Sequence, residues 1–527
     1  MKVACVGGGP GGLFFATLLK QRDPAAEVVV FERNRSDDTF GFGVVFSDAT
    51  LARIHEADPV LLRGLQDQGR HWDDIEVRLK GDRLRVGGNG MAAISRKTLL
   101  QLLQDRAREV GVDLRFEAEV PGLRALDGYD VVVGSDGANS RVREELAAEL
   151  EPSFDEATAK FIWFGTPYMF EGLTFVHKQS PYGTFAVHGY PISADVSTFI
   201  VETDEATWQA AGLDEFDTTQ PPGPSDEKTR AFLEDLFADE IDGQGLLVNN
   251  SRWANFRTRR ARTWHAGNVA ILGDAAHTAH FSVGSGTKMA MEDAIELARA
   301  LTEHDDLETA LRAYESAARP SVEKIQGSAR PSLSWWEHFG RYHEAFEPTQ
   351  FAFHFMSRSI GRDKIARRDP GFIAEVDAHW RARHGAEPRH TPMALGDVHF
   401  SKRVVDLVEE GSGPSLECAG TRLELASTVP GRGPWGLWFE APETESGLPT
   451  AIERLRGYLA TAPAAVVVHG GTALTRVLVA EQARLVEGVP AAVVEAEPDA
   501  DRVTTLLLSG RADLVAVPAV ARERAHA

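Results

Sequence analysis

The sequence predicts an α/β protein. A Rossmann-type domain, assembled from two separated stretches, is interleaved with a β-sheet domain and followed by a small C-terminal α/β domain. Three observations predict it. A short apolar strand runs directly into Gly7-Gly8-Gly9-Pro10-Gly11-Gly12, with Glu32 at the end of the next strand. Far along the chain a second apolar strand ends in Gly273-Asp274-Ala275-Ala276-His277. Between them, residues 155–255 turn to β-branched and aromatic segments of strand length.

Taken in order, residues 2–6 form a strand and residues 13–20 a helix, joined by the G-x-G-x-x-G spacing of Gly7, Gly9 and Gly12. Gly7 permits the tight turn, Gly9 removes a Cβ where a pyrophosphate must approach, and Gly12 lets helix and strand pack closely. Free helix N–H groups then face the phosphates. Residues 27–31 form the second strand, and Glu32 at its end can accept both ribose hydroxyls of an adenosine. That carboxylate disfavours a 2′-phosphate. Arg33 would support one only by turning inward, and a continuing strand points it away. Residues 40–48, apolar and glycine-punctuated, form a loop or short strand near the cofactor. Arg96 precedes an amphipathic helix over residues 98–110 and is placed to pair with pyrophosphate. Strands over residues 114–120 and 129–133 follow; the second runs into Asp136-Gly137, a turn on the cofactor side, and Ser140-Arg141 opens a helix.

The middle of the chain holds strands at residues 161–164, 173–178, 184–190 and 196–201, then a Pro/Gly-rich loop at 218–225 and a helix at 229–237. Such a sheet can form the floor of a substrate pocket. His177, Tyr182 and His188 are its polar candidates for meeting an aromatic substrate. After the strand at 268–272, Asp274 can accept a hydrogen bond from a ribityl hydroxyl. His280-Phe281-Ser282-Val283-Gly284-Ser285-Gly286-Thr287-Lys288 is a second glycine loop, where Gly286 lets backbone approach an isoalloxazine edge and Thr287 and Lys288 lead into a helix over 289–299. The positive end of that helix would stabilise an anionic reduced flavin. His280 joins the candidate catalytic group. The two motifs together indicate bound FAD rather than a transient nicotinamide nucleotide.

Three motifs, Gly7-x-Gly9-x-x-Gly12, Asp136-Gly137 and Gly273-Asp274-Ala275-Ala276-His277, give residues 1–330 a resemblance to the class A, single-component flavin aromatic hydroxylases of the para-hydroxybenzoate hydroxylase fold. Where that family usually has a proline pair and a flavin-side asparagine, this chain has His280-Phe281 and Lys288. With residues 42–48 and 281–288, these departures resemble a narrower branch, that of salicylyl-CoA 5-hydroxylases and the monooxygenase half of 2-aminobenzoyl-CoA monooxygenase/reductases. The resemblance implies that NADH or NADPH reduces FAD and that a C4a-hydroperoxyflavin transfers oxygen to an activated ring. It implies no metal and a pocket that protects the reactive flavin from water. It also implies a CoA-linked substrate, for which Arg257, Arg259, Arg260 and Arg262, or Arg362, Lys364, Arg367 and Arg368, are candidate phosphate grips. A hydroxylase of free salicylate or aminobenzoate and a non-catalytic flavin-binding protein stay open as alternatives. A flavin halogenase is disfavoured, because Phe161-Ile162-Trp163-Phe164-Gly165 is not the Trp-x-Trp-x-Ile-Pro segment such enzymes carry.

Composition narrows the partners. The 527 residues carry a formal charge of -22 from 56 basic and 78 acidic side chains, which disfavours nucleic acid and anionic membranes. No apolar run approaches the roughly 18 residues of a membrane span. The chain enters the glycine motif at once, so no signal peptide is expected. Cys5 and Cys418 make no disulfide framework, and a cytoplasmic location follows. The expected organisation is a cofactor domain in two parts (1–154 and 261–330), a β-rich substrate domain (155–260), an aromatic-rich helical connector (331–390) and a small α/β domain (391–527). The connector suggests packing or a homodimer contact. The last stretch opens like an old-yellow-enzyme reductase domain, yet a β/α barrel needs roughly 250 residues. It is therefore expected to be a truncated module without a second flavin site.

Overall fold

The computed structural model describes residues 1–39, 41–221, 223–284, 286–409, 413–429, 434–497 and 499–519; Phe40 and Ser285 of the motifs above lie outside these. The chain divides into two compact units, Met1–His338 and Phe339–Ala527.

The first unit opens with β1 (Lys2–Val6), α1 (Pro10–Arg22) and β2 (Glu27–Phe31). It continues through β3 (Gly43–Ser47), α2 (Asp48–Ala57), α3 (Pro59–Gln68), β4 (Arg70–Trp72), β5 (Ile75–Leu79), β6 (Asp82–Val86), β7 (Met91–Ser95), α4 (Arg96–Glu109), β8 (Asp113–Arg115) and β9 (Val131–Gly134). Side-chain caps from Ser47, Asp58 and Ser95 start α2, α3 and α4. The strand expected over 114–120 is only β8. Glu117 adopts a left-handed φ of 52°, and Glu117 and Ala118 bond back to Asn34 and Glu32, which ends the extended run.

Next come α5 (Arg141–Glu145), α6 (Ala147–Leu150), β10 (Pro152–Thr166), β11 (Leu173–Ser180), β12 (Gly183–Pro191), β13 (Ser197–Thr203), α7 (Glu205–Ala210), α8 (Glu227–Leu236) and β14 (Ala254–Ala261). The unit closes with β15 (His265–Ala266), β16 (Val269–Ile271), α9 (Gly286–Glu303) and α10 (Leu307–Trp336). Two large sheets result. One has the order β15-β16-β9-β1-β2-β8, and the other β14-β10-β13-β12-β11-β5-β6. The first is the interrupted Rossmann sheet, with β16 from the far side of the insertion pairing in parallel beside β9. The second is the inserted sheet. On one face Ile162, Phe164, Val176, Phe185, Val187, Phe199 and Val201 pack on Leu213, Leu233, Phe237 and Ile241. One position over on each strand, Phe161, Trp163, Phe175, His177, His188, Ile200 and Glu202 share the opposite face.

Two helices differ from expectation. α9 begins at Gly286, so Thr287 and Lys288 lie in its first turn. α10 runs unbroken through Pro320 and Pro331, where the sequence suggested a boundary. A helical proline removes one N–H bond, and here a continuous buried stripe including Leu311, Tyr314, Val322 and Leu333 outweighs that loss.

The second unit starts with α11 (Phe339–Ala345), α12 (Pro348–Met356), α13 (Arg362–Arg368) and α14 (Pro370–His384), then the hairpin β17 (Met393–Leu395) and β18 (Val398–Phe400). It continues with β19 (Val404–Val408), β20 (Ser415–Cys418), β21 (Thr421–Ala426), β22 (Trp435–Ala441), α15 (Leu448–Leu459), β23 (Ala465–Gly470), α16 (Ala473–Glu481), β24 (Ala491–Val494), α17 (Ala500–Leu508) and β25 (Leu514–Pro518). β19 to β25 form a closed barrel, which the short length did not suggest. Closure is reached because β19, β20 and β21 are antiparallel neighbours that need no crossover helix, while β21 to β25 and back to β19 are parallel. Val405, Leu407, Leu416, Leu423, Leu425, Val467, Leu514 and their neighbours form one buried cluster with the hairpin residues Leu395, Val398 and Phe400.

Glu481, buried at the end of α16, ties α11 and α12 to the barrel. It accepts from Arg341 Nη2 at 2.8 Å and Tyr342 OH at 2.5 Å, and lies 3.2 Å from His354 Nε2. Burial would raise its carboxyl, but His354, Arg341 and Arg511 hold it well below the usual range. Replacing Glu481 by Ala leaves Arg341 and Arg511 buried without their counter-charge. The expected loss is about 3–5 kcal/mol of stability in urea titrations of the full chain.

Candidate active site

The glycine loop is built as its spacing requires. Gly7 has φ +109°, and a Cβ there would lie 2.4 Å from the Ser135 carbonyl oxygen. A Cβ on Gly12 would lie 2.3 Å from Ser135 Oγ and 2.4 Å from the Gly7 oxygen, whereas one on Gly9 would meet nothing within 4 Å. Ser135 is thus the seam of the loop, and its hydroxyl donates to the Gly7 carbonyl at 2.9 Å. Glu32 stands beside the loop, where its Oε2 accepts from Gly8 N–H and its Oε1 from the Asn34 backbone and side chain, all at 2.8 Å. Arg33 is exposed.

The second motif arrives at the same sheet end through β16. Gly273 N–H and His277 Nε2 both lie 2.8 Å from Asp293 Oδ2, a buried carboxylate on α9 that shapes the turn. Arg143 staples the two turns together: it donates to the Ala138 carbonyl at 2.7 Å and to the Asp274 and Ala275 carbonyls at 3.3 and 2.8 Å. Asp136, expected at the cofactor, is held in its turn by local bonds. Its Oδ1 accepts from the Ser140 hydroxyl and its Oδ2 from the Arg141 and Val142 N–H groups, so it caps α5 and shapes the turn.

Asp274 is solvent-accessible, yet protein mass around it pushes its carboxyl above the ordinary value, against the pull of His277, Arg96, Arg259 and Arg143. Accessibility together with desolvation describes a group on the wall of a deep cleft. Arg96 is half-buried at the start of α4; desolvation lowers its guanidinium against the opposing charge of Asp274, and its Nε is buried with no hydrogen-bond partner. A Cβ on Gly286 would also meet nothing within 4 Å. Open space at Gly9 and Gly286, an orphaned arginine donor and an accessible carboxylate in a cationic ring fit a flavin dinucleotide. Lys288 is held along α9 by Glu292 at 2.7 Å, which is also 3.1 Å from Arg53, so its charge is already paired. Thr287, half-buried beside it, sits in the same first turn.

The polar face of the inserted sheet brings together three of the four catalytic candidates. Glu202 lies 2.8 Å from His188 Nε2 and 3.0 Å from His280 Nε2. His188 packs against Trp336, Phe175 and Phe281 with centroids at 4.5, 4.9 and 5.5 Å. His177 stacks parallel to Trp336 at 6.0 Å. Burial would raise Glu202, but His280 and His188 outweigh it and bring the carboxyl from 4.5 down to about 2. Tyr182 does not join them. It sits on the β11–β12 turn, 48% exposed, against Phe232.

Sequence reasoning missed Glu202, Asp293, Arg143 and Ser135. Only Glu202 left a signal, a charge inside an apolar strand. The arginines expected as phosphate grips also meet partners within the chain. Arg257, Arg260 and Arg262 pair with Glu156, Asp155 and Glu151 at 3.0, 2.6 and 2.5 Å, while Arg259 donates to the Asn139 side-chain oxygen at 3.3 Å, next to the Asp136-Gly137 turn. Arg362 of the second patch pairs with Asp377 at 2.5 Å.

A family model described as an FAD binding domain matches residues 128–329. A salicyloyl-CoA 5-hydroxylase from a Streptomyces species is 59% identical over 520 residues, covering 98% of this chain and 99% of that protein. A 3-hydroxy-4-methyl-anthranilyl-(aryl-carrier protein) 5-monooxygenase from Streptosporangium sibiricum is 37% identical over 336 residues, 64% of this chain and 89% of its own. The crystal structure of p-nitrophenol 4-monooxygenase from Pseudomonas putida shares the fold, with a TM-score of 0.55 at 18% identity over 71% of this chain and 95% of that one.

Two outcomes follow from this geometry. Gly9→Ala is expected to keep stability within about 0.5 kcal/mol while FAD affinity falls at least ~10-fold, because the added methyl occupies only the pyrophosphate's space. Gly12→Ala is expected to destabilise the fold by about 1–3 kcal/mol; thermal unfolding and flavin absorbance after desalting separate the two. The stability that Glu202 contributes is complete above pH 4.5 and is lost as pH falls toward 2. Glu202→Gln should therefore flatten the acid limb of the urea-midpoint profile.

Proposed function

The chain belongs to the FAD-dependent aromatic monooxygenases of the para-hydroxybenzoate hydroxylase fold and is closely related to salicyloyl-CoA 5-hydroxylase; on that premise we propose that it uses NAD(P)H and O2 to hydroxylate an aromatic acyl-CoA thioester of the salicylyl-CoA type. The observation that carries the substrate class is the identity of 59% across 98% of the chain, which includes the C-terminal unit.

Bound FAD supplies hydride acceptance from NAD(P)H and activation of O2. The chain's own residues bind and orient it. The free N–H groups of α1 and the space at Gly9 take the pyrophosphate, Glu32 the adenosine ribose and Asp274 the ribityl chain. The unpaired Arg96 Nε would donate to the cofactor, and the first-turn N–H groups of α9 would be available to the flavin ring. The aromatic face of Phe175, Trp336, Phe281 and Trp163 receives the substrate ring and excludes water. His188 and His280 are its proton-handling groups, and His177 flanks them.

One observation favours the free-acid alternative. Arg257, Arg260 and Arg262 are already paired with carboxylates, so most of that basic run is neutralised before any CoA phosphate arrives, and Arg259 is left as its candidate grip. The C-terminal barrel is read as a reduced old-yellow-enzyme-like module kept as a scaffold; its opening hairpin and buried apolar core support that reading. A cytoplasmic homodimer completes the proposal, and among the described residues no helix is long and apolar enough to cross a membrane.

The test is oxidation of NADH and NADPH by the FAD-loaded protein with salicylyl-CoA, 2-aminobenzoyl-CoA and their free acids, with product masses. The expected result is coupled oxidation and a product one oxygen atom heavier from a thioester only. Turnover of the free acids alone would overturn the CoA assignment.

A further inference from the structure

A cavity of about 480 Å³ lies in the first unit, between the small sheet β3-β7-β4 and the helices α2 and α3. Small-molecule sites occupy roughly 300–1,000 Å³, so the space suits a ligand. Each helix turns one face to it. α2 presents Asp48, Leu51, Ala52 and His55, and α3 presents Leu62, Leu65 and Gln66, in the three- and four-residue steps of a single helix face. The sheet contributes Phe46, Ala92 and Ile94. The body of the cavity is therefore aliphatic and aromatic.

The sheet also divides this cavity from the aromatic face of the substrate region. Residues paired across two strands share one side, and the next pair takes the other. Val45 pairs with Ala93, and both pack with Tyr190, Trp163 and Phe281. Phe46 pairs with Ala92 and Val44 with Ile94, so these four stand on the opposite side, where Phe46 and Ile94 join the Rossmann core. Ala93, at the boundary, belongs to both the cavity lining and the aromatic cluster. Among the described residues the lining includes neither the glycine loops nor Arg96, Asp274, Phe175, Phe281 or Trp336.

The polar groups stand at the mouth, where Asp48, His55, Gln66 and His71 are exposed. Asp48 Oδ1 accepts from His71 Nε2 at 2.9 Å, and His71 shares the register of Ala92 on the cavity side. Arg70 is the one Arg or Lys among the lining residues. It shares the register of Ala93, and its Nε donates to the Ser193 carbonyl at 3.1 Å, so its side chain serves the other side of the sheet. The mouth thus holds a carboxylate and turns no guanidinium or ammonium group toward an incoming molecule. An anion would set a second negative charge beside Asp48, and like charges repel. A hydroxyl or ring N–H can donate to Asp48 or to the Gln66 side-chain oxygen, and a bond to a carboxylate is among the stronger ones.

We propose that this cavity is a second ligand site, separate from the flavin cleft, that takes an uncharged aromatic molecule of one or two rings carrying a hydroxyl or N–H donor. The rings lie among Phe46, Leu51, Leu62, Leu65 and Ile94, and the donor meets Asp48 at the mouth. The anionic thioester or acid assigned to the flavin cleft is the opposite charge class, so the two sites take different members of the aromatic compounds.

The test is equilibrium dialysis of the FAD-loaded full chain with 1-naphthol and with 1-naphthoate at about pH 7, where the phenol is neutral and the acid ionised. The site is identified by Ala52→Trp, which fills the mouth from an exposed position, and by Ala92→Phe, which fills the floor. The expected result is one equivalent of naphthol per chain, weakened at least ~10-fold by either variant with flavin still bound. Naphthoate binding that responds to these variants should be at least ~10-fold weaker than naphthol binding, and Asp48→Asn should bring that ratio toward unity. Naphthol binding that neither variant weakens, or none at concentrations up to about 1 mM, overturns the site. Variant-sensitive naphthoate binding as tight as that of naphthol overturns its charge selection. None of these outcomes depends on turnover, so each is distinguishable from failure of the monooxygenase reading.

Discussion

Parallel pairing of β1, β9 and β16 is the constraint on which the rest of the first unit depends. Val6 and Gly134 share one register position, as do Gly134 and Ile271, so three segments distant in sequence end at one level of one sheet. The turns that follow those strands carry Gly7–Gly12, Asp136–Arg143 and Gly273–His277. Clefts at the carboxyl ends of parallel strands are where such sheets bind ligands. Arg143 and Asp293 then lock the turns to one another through carbonyl and N–H groups, so the cleft is formed mainly by backbone held in place by buried charges. Losing the pairing would separate the cofactor's two halves even if every side chain were retained.

The inserted sheet solves a different problem with the same economy. Its strands alternate, sending Phe164, Phe185, Phe199 and several valines into a helix-covered core and placing imidazoles, indoles and Glu202 on the other side. A β-sheet makes this separation automatically, because neighbouring residues point to opposite faces. An oily environment and a proton-bearing cluster can therefore stand within one strand's thickness of each other.

Features that the backbone itself demands were legible in the sequence. Gly7, Gly12 and Gly273 occupy positions where a Cβ would collide or a left-handed φ is required, and only glycine meets that requirement. The positions of Glu32, Asp274 and His188 could be read from the sequence because strand ends and strand faces can be counted from apolar patterns, whereas His280 stands in a loop. Groups that act by meeting a partner from another element were not legible. Ser135, Arg143 and Asp293 look ordinary until the strands are paired, and the basic run at Arg257–Arg262 looks available until antiparallel β10 and the residue before it bring Glu156, Asp155 and Glu151 alongside. Barrel closure was hidden for a related reason. Length suits an estimate of eight strand–helix repeats, but β19, β20 and β21 close their part of the ring by hairpins that need few residues.

α10 has a mechanical consequence. Its Tyr314 hydroxyl donates to the Ile271 carbonyl, its Gln326 amide reaches the Arg259 and Thr278 carbonyls, and its Ser332 meets Ser282 beside the Glu202 cluster. At about 1.5 Å of rise per residue, one rod thus registers the cofactor turn and the substrate face against a common ruler. Its two prolines are the places where that ruler lacks backbone hydrogen bonds and bends most easily. The spacing between the Gly273–His277 turn and the aromatic face of the inserted sheet is therefore tied to the stiffness of one helix.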